Sequence, residues 1–160
     1  LNFLTEHGIG SYEELIERCD AATATTARIK ADIRATDAAI ERLTLTAKYA
    51  ATYRKLCPVY DQYRQSRDKE KFLRGHESEI ILFEAAAREL KRLDAVPVPA
   101  TKRLHAELEK LTAKRNALRA EHKRTQQEEK IYDTLRKNVE DLLDKDRSNE
   151  PEKQQKSELE

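Results

Sequence analysis

The fold of this chain is decided by residues 11–50, SYEELIERCDAATATTARIKADIRATDAAIERLTLTAKYA. Ser11 and Glu14 form an S-x-x-E capping box, the pattern that starts a helix. Behind it, small or apolar residues recur at alternating steps of four and three: Leu15, Cys19, Ala22, Thr26, Ile29, Ile33, Thr36, Ile40, Leu43, Ala47 and Ala50. This spacing is typical of the contact face of a coiled coil, so we predict a long helix from residue 11 onward.

Pro58 interrupts that pattern. Its ring clashes with the carbonyl group four residues earlier, so we expect the helix to end or kink near residues 54–58 and then to resume as far as residue 66. A shorter helix is predicted over residues 69–94, which include the stretch EKFLRGHESEIILFEAAARELKRLD (70–94). Gly75 is expected to be the weak point of this helix.

The stretch AVPVPA, residues 95–100, contains two prolines and is predicted to be a connector. Thr101 is expected to cap the next helix. Its contact face is predicted to comprise Leu104, Leu108, Leu111 and Leu118, then Ile131, Leu135, Val139 and Leu142. Between these groups the same face carries polar residues, namely Arg115, His122, Thr125 and Glu129, so its middle is expected to pack less tightly.

The sequence therefore predicts an all-α fold, an elongated antiparallel coiled-coil hairpin of two long helices with a shorter helical segment packed at one end. Residues 1–10 are predicted to be the end of a preceding helix and a turn. Residues 11–146 are predicted to form a single helical domain with helices at about 11–66, 69–94 and 101–146, and residues 147–160 a disordered tail. Apolar and charged residues each make up 38% of the chain, with only 3 Gly and 4 Pro, a composition typical of long helices.

The same composition argues against several classes of protein. No stretch approaches the roughly 18 apolar residues of a membrane span. His7, His76, His105 and His122 are scattered without metal-ligand spacing, and Cys19 and Cys57 form no C-x-x-C pair. We therefore expect a cytoplasmic protein with no catalytic residue, no metal and no cofactor. The lack of methionine and the helical start favour a fragment of a longer protein.

Four tyrosines, Tyr49, Tyr53, Tyr60 and Tyr63, fall on one helical face and alternate with basic residues. Rings beside cations are able to stack on nucleic-acid bases. The alternative is that the tyrosines form a second core face, covered by Phe72, Ile80, Ile81 and Phe83. We favour this alternative because a tyrosine suits the edge of a helix packing site.

Charge is unevenly distributed although the net charge is only +1. Residues 101–125 carry 8 basic and 3 acidic side chains, and residues 126–160 carry 7 basic and 11 acidic ones. An antiparallel hairpin would place the first of these segments beside residues 42–67, which are also mainly basic. Such an end is either an ordinary solvated surface or a region that contacts phosphates.

Several stretches, taken in order, resemble the C-terminal helical region of relaxases, the mobilisation proteins of bacterial conjugative and mobilisable elements. They are HGIGSYEELIERCDAA (7–22), YRKLCPVYDQYRQ (53–65), FLRGHESEIILFEAAARELKRL (72–93) and PVPATKRLHAELEKLTAKRNAL (97–118). The similarity covers about residues 1–146. The sequence departs from the family at Pro58, where an unbroken helix is expected.

In relaxases, the N-terminal domain nicks DNA with a tyrosine and a histidine-bound metal ion, and none of that machinery carries over to this chain. The resemblance implies a non-catalytic module that assists DNA processing in conjugative transfer. Its implied partners are DNA near a transfer origin, accessory or coupling proteins, or a second copy in a homodimer. The residues expected to contact DNA are Lys48, Arg54, Lys55, Lys102, Arg103, Lys110, Lys114 and Arg115. The alternative is a coiled-coil scaffold for protein–protein interaction or dimerisation with no nucleic-acid role.

Overall fold

The computed structural model describes the backbone of residues 2–157 and the side chains of residues 4–148. Helices make up 89% of the described chain, and no strand occurs within it. The helices are α1 (Asn2–Glu6), α2 (Tyr12–Gln65), α3 (Lys69–Arg92) and α4 (Thr101–Ser157). The predicted all-α class is confirmed. Within residues 2–157, none of these helices combines the length and apolar character that crossing a membrane requires.

The chain packs as two units. Unit 1 comprises residues 1–33 and 118–160, and unit 2 comprises residues 34–117. Helices α2 and α4 contribute to both units, whereas α1 belongs to unit 1 and α3 to unit 2.

In unit 1, the beginning of α2 packs against the later part of α4. The Tyr12 hydroxyl donates a hydrogen bond to Glu140 (3.1 Å), and the Thr23 hydroxyl donates one to Glu129 (2.9 Å). Later residues of α2 thus meet earlier residues of α4, which means that the two segments run antiparallel. Their shared core comprises Leu15 and Cys19 of α2 and Leu135 and Val139 of α4. Leu4 of α1 and Ile9 of the turn after it complete this core.

In unit 2, α2 holds α3 on one side and the first turns of α4 on another. The core joins Ala50 of α2 to Leu90 of α3 and Leu104 of α4. The Phe83 ring stacks on both Tyr53 and Tyr60, with ring centroids 4.7 and 4.2 Å apart.

The start of α2 follows the predicted capping box with a shift of one residue. The Ser11 hydroxyl accepts the backbone N–H of Glu14 (3.1 Å), while the Glu14 carboxylate accepts that of Gly10 (2.7 Å). Arg18 then joins Glu14 (2.6 Å) to the carbonyl of Gly8 (3.1 Å). Two donors at the helix start are therefore satisfied, and the preceding turn is tied to the first two turns of α2.

Of the two alternatives expected near residues 54–58, an end of the helix does not occur, because α2 continues through Pro58 to Gln65. A proline inside a helix removes one backbone hydrogen bond. Tertiary packing offsets this loss here, since Leu56 is buried and Tyr60 stacks on Phe83.

The irregular residue of α3 is the neighbour of the predicted weak point, Gly75. His76, next to Gly75, has non-helical dihedral angles (φ −135°, ψ 19°) and bends the helix. At the end of α3, Asp94 adopts a left-handed conformation (φ 56°). The N–H groups of Asp94 and Ala95 bond to the carbonyls of Lys91 (3.1 Å) and Leu90 (2.8 Å). These two bonds form a Schellman motif, which stops α3 and opens the 95–100 connector.

One expectation about α4 needs correction. The carbonyl of Ala100 accepts the N–H of Leu104 (3.1 Å), so Ala100 holds the capping position and Thr101 is already helical. Helix α4 extends to Ser157, and residues 158–160 of the predicted tail lie outside the described residues. Glu, Lys and Gln are good helix formers, and this tail is rich in them.

The predicted contact face of α2 is buried or half-buried at each of its eleven positions. On α4 two predicted positions are wrong, because Ile131 and Leu142 are 47% and 46% exposed. Tyr132 packs against the core of unit 1 instead of Ile131. Alternating steps of four and three from Leu104 through the polar face positions up to Glu129 reach Tyr132 rather than Ile131. The polar residues on this face therefore indicate the position that packs against the core.

Candidate nucleic-acid interface

The two units carry opposite net charges. Within the bounds of unit 2 the sequence has 18 basic and 12 acidic residues, and within those of unit 1 it has 13 basic and 18 acidic residues. The eight residues predicted to contact DNA all belong to unit 2. A polyanion is therefore attracted to unit 2 and repelled by unit 1.

Helix α2 directs two of the predicted residues into solvent. Lys48 and Lys55 are seven residues apart and so lie on the same side of α2. Successive residues are rotated by about 100° around a helix. Lys48 therefore points well away from both Ala50, on the contact face of α2, and Tyr53, which faces α3. Both lysines are exposed.

A third lysine joins them from α4. Arg54 donates a hydrogen bond to the Thr101 hydroxyl (3.0 Å), which brings the start of α4 level with this part of α2. Lys102, the next residue, therefore lies level with the stretch between Lys48 and Lys55. It is also exposed. We call Lys48, Lys55 and Lys102 the lysine face.

Three other predicted residues lie on a different side of α4 from Lys102. Arg103 lines a groove with Arg42 and Leu93, where α3 ends. Lys110 and Lys114 follow at seven and eleven residues, which returns both to within about 20° of Arg103. All three are exposed. We call Arg103, Lys110 and Lys114 the groove face.

The remaining two predicted residues are engaged inside unit 2. Arg54 also donates to the carbonyl of Pro99, so its guanidinium fixes the connector and the start of α4. Arg115 is half-buried, 3.6 Å from the Asp37 carboxylate, and its Nε is buried without a hydrogen-bond partner. Sequence reasoning missed these roles because the partners lie 45 to 78 residues away along the chain.

The tyrosines face the protein rather than solvent. Tyr63 lies against Phe72 with ring centroids 6.1 Å apart, and Tyr49 packs against the core of unit 2. This supports the second-core interpretation, with one correction: Ile81 is 57% exposed and does not cover the stripe, whereas Ile80 is buried. One tyrosine borders the lysine face, since Lys48 Nζ lies 5.8 Å from the centroid of the Tyr49 ring.

Neither cysteine is placed as a reactive thiolate. Burial raises the pKa of the Cys19 thiol, and burial together with the Asp61 carboxylate raises that of Cys57. A higher thiol pKa leaves less of the nucleophilic thiolate at neutral pH. Within the described part of the chain, no three His, Cys, Asp or Glu side chains gather in a way that would hold a metal ion.

Sequence reasoning also missed the groove beside Arg103. Its floor and walls combine Leu43 of α2, Leu93 at the end of α3 and Leu104 of α4, around a cavity of about 350 Å³. Arg42 closes one edge by donating to the carbonyl of Leu93 (2.6 Å). The small residues Ala39 and Thr46 of α2 and the connector residues Ala95 and Pro99 complete the lining.

Known proteins add no assignment to this geometry. No family model matches the chain, and neither a curated protein nor a solved structure matches it.

Proposed function

We propose that this chain is a non-catalytic helical module that binds DNA through the lysine face of unit 2. The observation that carries the proposal is the placement of Lys48, Lys55 and Lys102, three exposed lysines at the same level of α2 and α4 in a unit with a net excess of basic residues. Ammonium groups spaced along a helical surface bind phosphates and release counterions, which gives affinity without base recognition.

The wider setting follows from the resemblance to relaxases. In that setting the module is an antiparallel coiled-coil hairpin that assists conjugative DNA processing next to a nicking domain. The coding sequence upstream of residue 1 tests this part separately, because a relaxase requires paired histidines and a nicking tyrosine there.

The DNA proposal is tested by substituting matched sets of lysines. We expect Lys48→Ala, Lys55→Ala and Lys102→Ala together to weaken binding of a labelled 30-base-pair duplex by at least about tenfold at about 50 mM salt. The matched control is Lys30→Ala, Lys123→Ala and Lys130→Ala, three exposed lysines of unit 1 on the same two helices.

Substitution of the groove face shows whether DNA binds there or at the lysine face. Arg103→Ala, Lys110→Ala and Lys114→Ala should leave DNA affinity within about threefold of the unsubstituted chain. Equal losses for the lysine face and the unit 1 control would contradict the proposal. A loss of DNA affinity confined to the groove-face variant would place DNA on the groove face and would also overturn the proposal.

A second candidate function, protein–protein interaction, is favoured by a different observation. Leu142 and Leu143 are 46% and 45% exposed near the acidic end of α4. Adjacent exposed leucines on a helix are typical of a docking surface. Self-association measured without DNA tests this candidate.

A further inference from the structure

The groove of unit 2 has the features of a receptor for a helix. It lies where α3 ends, so a second helix is able to approach the surface that α3 leaves uncovered. Its apolar lining includes Leu43, Leu104 and Leu111, and its cavity of about 350 Å³ is within the size range of small binding pockets. Leu93 and Leu104 are 8% and 4% exposed, so the lining is anchored in the core.

The rim of the groove is charged. Arg42 and Arg103 stand on opposite helices, and Asp94 and Glu107 also border the cavity. Arg42 uses one nitrogen for the carbonyl of Leu93. A guanidinium has five N–H donors, so Arg42 keeps others for an incoming carboxylate. Farther along the groove face, Lys110 and Lys114 add positive charge.

A complementary segment occurs in unit 1 of the same chain. Residues 140–146 carry Leu142 and Leu143, both nearly half exposed, on a helix that is already formed. Three carboxylates flank these leucines, at Asp141, Asp144 and Asp146, against the single cation Lys145, while Glu140 accepts a hydrogen bond from Tyr12. We call residues 140–146 the acidic leucine segment.

We propose that the groove of unit 2 in one copy receives the acidic leucine segment of a second copy. The leucines would fill the apolar cavity while the flanking carboxylates meet Arg42, Arg103 and the groove-face lysines. Paired apolar and charged complementarity favours a second copy of this chain over an unrelated helix. The unit charges agree, since a basic unit would meet an acidic one.

The proposal deepens the second candidate function and does not depend on DNA binding, because the groove lining includes none of the lysine-face residues. The contact is heterologous, joining one surface to a different one. It therefore closes as a dimer if two copies exchange segments, and it otherwise extends into longer assemblies. Either outcome raises the mass with protein concentration.

Sedimentation equilibrium of the whole chain without DNA tests the leucines. We expect association that strengthens with concentration, and Leu142→Ser with Leu143→Ser should weaken it by at least about tenfold. The control is Ile131→Ser, because Ile131 is 47% exposed on the same helix but lies outside the acidic leucine segment. A chain that stays monomeric at every concentration overturns the proposal, as does an equal loss in the control.

The groove is tested from its own side by Ala39→Phe, which fills the cavity from α2. The helical circular dichroism signal and the melting temperature show whether the variant folds. A folded Ala39→Phe chain should associate as weakly as the double leucine variant while binding DNA normally. Unchanged association in the folded variant would mean that the leucines dock elsewhere and would overturn the assignment of the groove. Loss of DNA binding by the lysine-face variant bears only on the proposed function, so the two ideas fail separately.

Discussion

The turn after α1 depends on the backbone of Gly8. Its φ is 66°, and its N–H bonds to Thr5 (3.0 Å) while that of Ile9 bonds to Leu4 (2.9 Å). A side chain rarely adopts this left-handed conformation, whereas Gly75 lies within α3 with ordinary φ. The same change to alanine should therefore have opposite effects at the two glycines.

We expect Gly8→Ala to lower the free energy of unfolding by about 1 kcal/mol, and Gly75→Ala to raise it by about 0.5–1 kcal/mol. No atom lies within 4 Å of the added methyl group at either position, so conformational preference alone sets the sign. Urea denaturation measures both. Destabilisation by both variants to the same extent would show that the turn conformation is not the cause.

Glu14 links the start of α2 to pH. Its carboxylate accepts the N–H of Gly10 and the guanidinium of Arg18, and these bonds lower the pKa of Glu14. Because the pKa is lower in the folded than in the unfolded state, the stabilisation is complete above about pH 5 and is lost as pH falls through the folded-state value. Glu14→Gln should lower the melting temperature at pH 7 and have little effect near pH 2.

Glu17→Gln, an exposed change one turn further along α2, is the control for this pH dependence. Thermal unfolding followed by circular dichroism at both pH values gives the comparison. An equal effect of Glu14→Gln at pH 7 and pH 2 would mean that the ionised carboxylate does not act at the cap.

Residue-scale signals were readable wherever their partners were close in sequence. The capping box of Ser11 and Glu14 spans one helical turn, and it appears nearly as predicted. The roles of Arg54 and Arg115 depend on Pro99 and Asp37, which only tertiary structure brings near. From the sequence alone, only the charge of the two arginines is known, and that charge predicts contact with DNA.

At the scale of elements, periodicity predicted the contact face of α2 more reliably than that of α4. Each face position of α2 from Leu15 to Ala50 is at least half-buried. On α4 the choice of the most apolar residue led to Ile131, whereas the heptad register leads to Tyr132. Pro58 lies inside α2, where buried Leu56 and the stack of Tyr60 on Phe83 hold the surrounding helix in place.

Phe83 is one of the side chains that attach α3 to α2. It is 6% exposed and stacks between Tyr53 and Tyr60. Phe83→Ala should lower the free energy of unfolding by about 3–5 kcal/mol because a large buried ring leaves a cavity. Leu82→Ala, at the adjacent and 55% exposed residue, should change it by less than about 0.5 kcal/mol.

Chemical denaturation of the two α3 variants, with helicity checked before unfolding, gives both values. Similar losses for Phe83→Ala and Leu82→Ala would show that the aromatic stack does not anchor α3.

At the scale of the whole molecule, the sequence showed that charge is uneven but not how it is divided. Counting along segments located a basic stretch in residues 101–125, yet the boundary between units falls inside it, at residues 117 and 118. The eight residues predicted to contact DNA all fall within unit 2. Their division into a lysine face, a groove face and two internal arginines required the register of α2 against α4, which sequence alone does not give.

The salt dependence of DNA binding tests the central claim most directly. Three phosphate contacts predict a slope of about −2.7 in log affinity against log salt, which is about a 40-fold loss between about 50 and 200 mM. The chain lacking Lys48, Lys55 and Lys102 should lose most of that slope, and the unit 1 control should keep it. Salt-independent binding, no binding at about 50 mM, or an unchanged slope in the lysine-face variant would contradict the account.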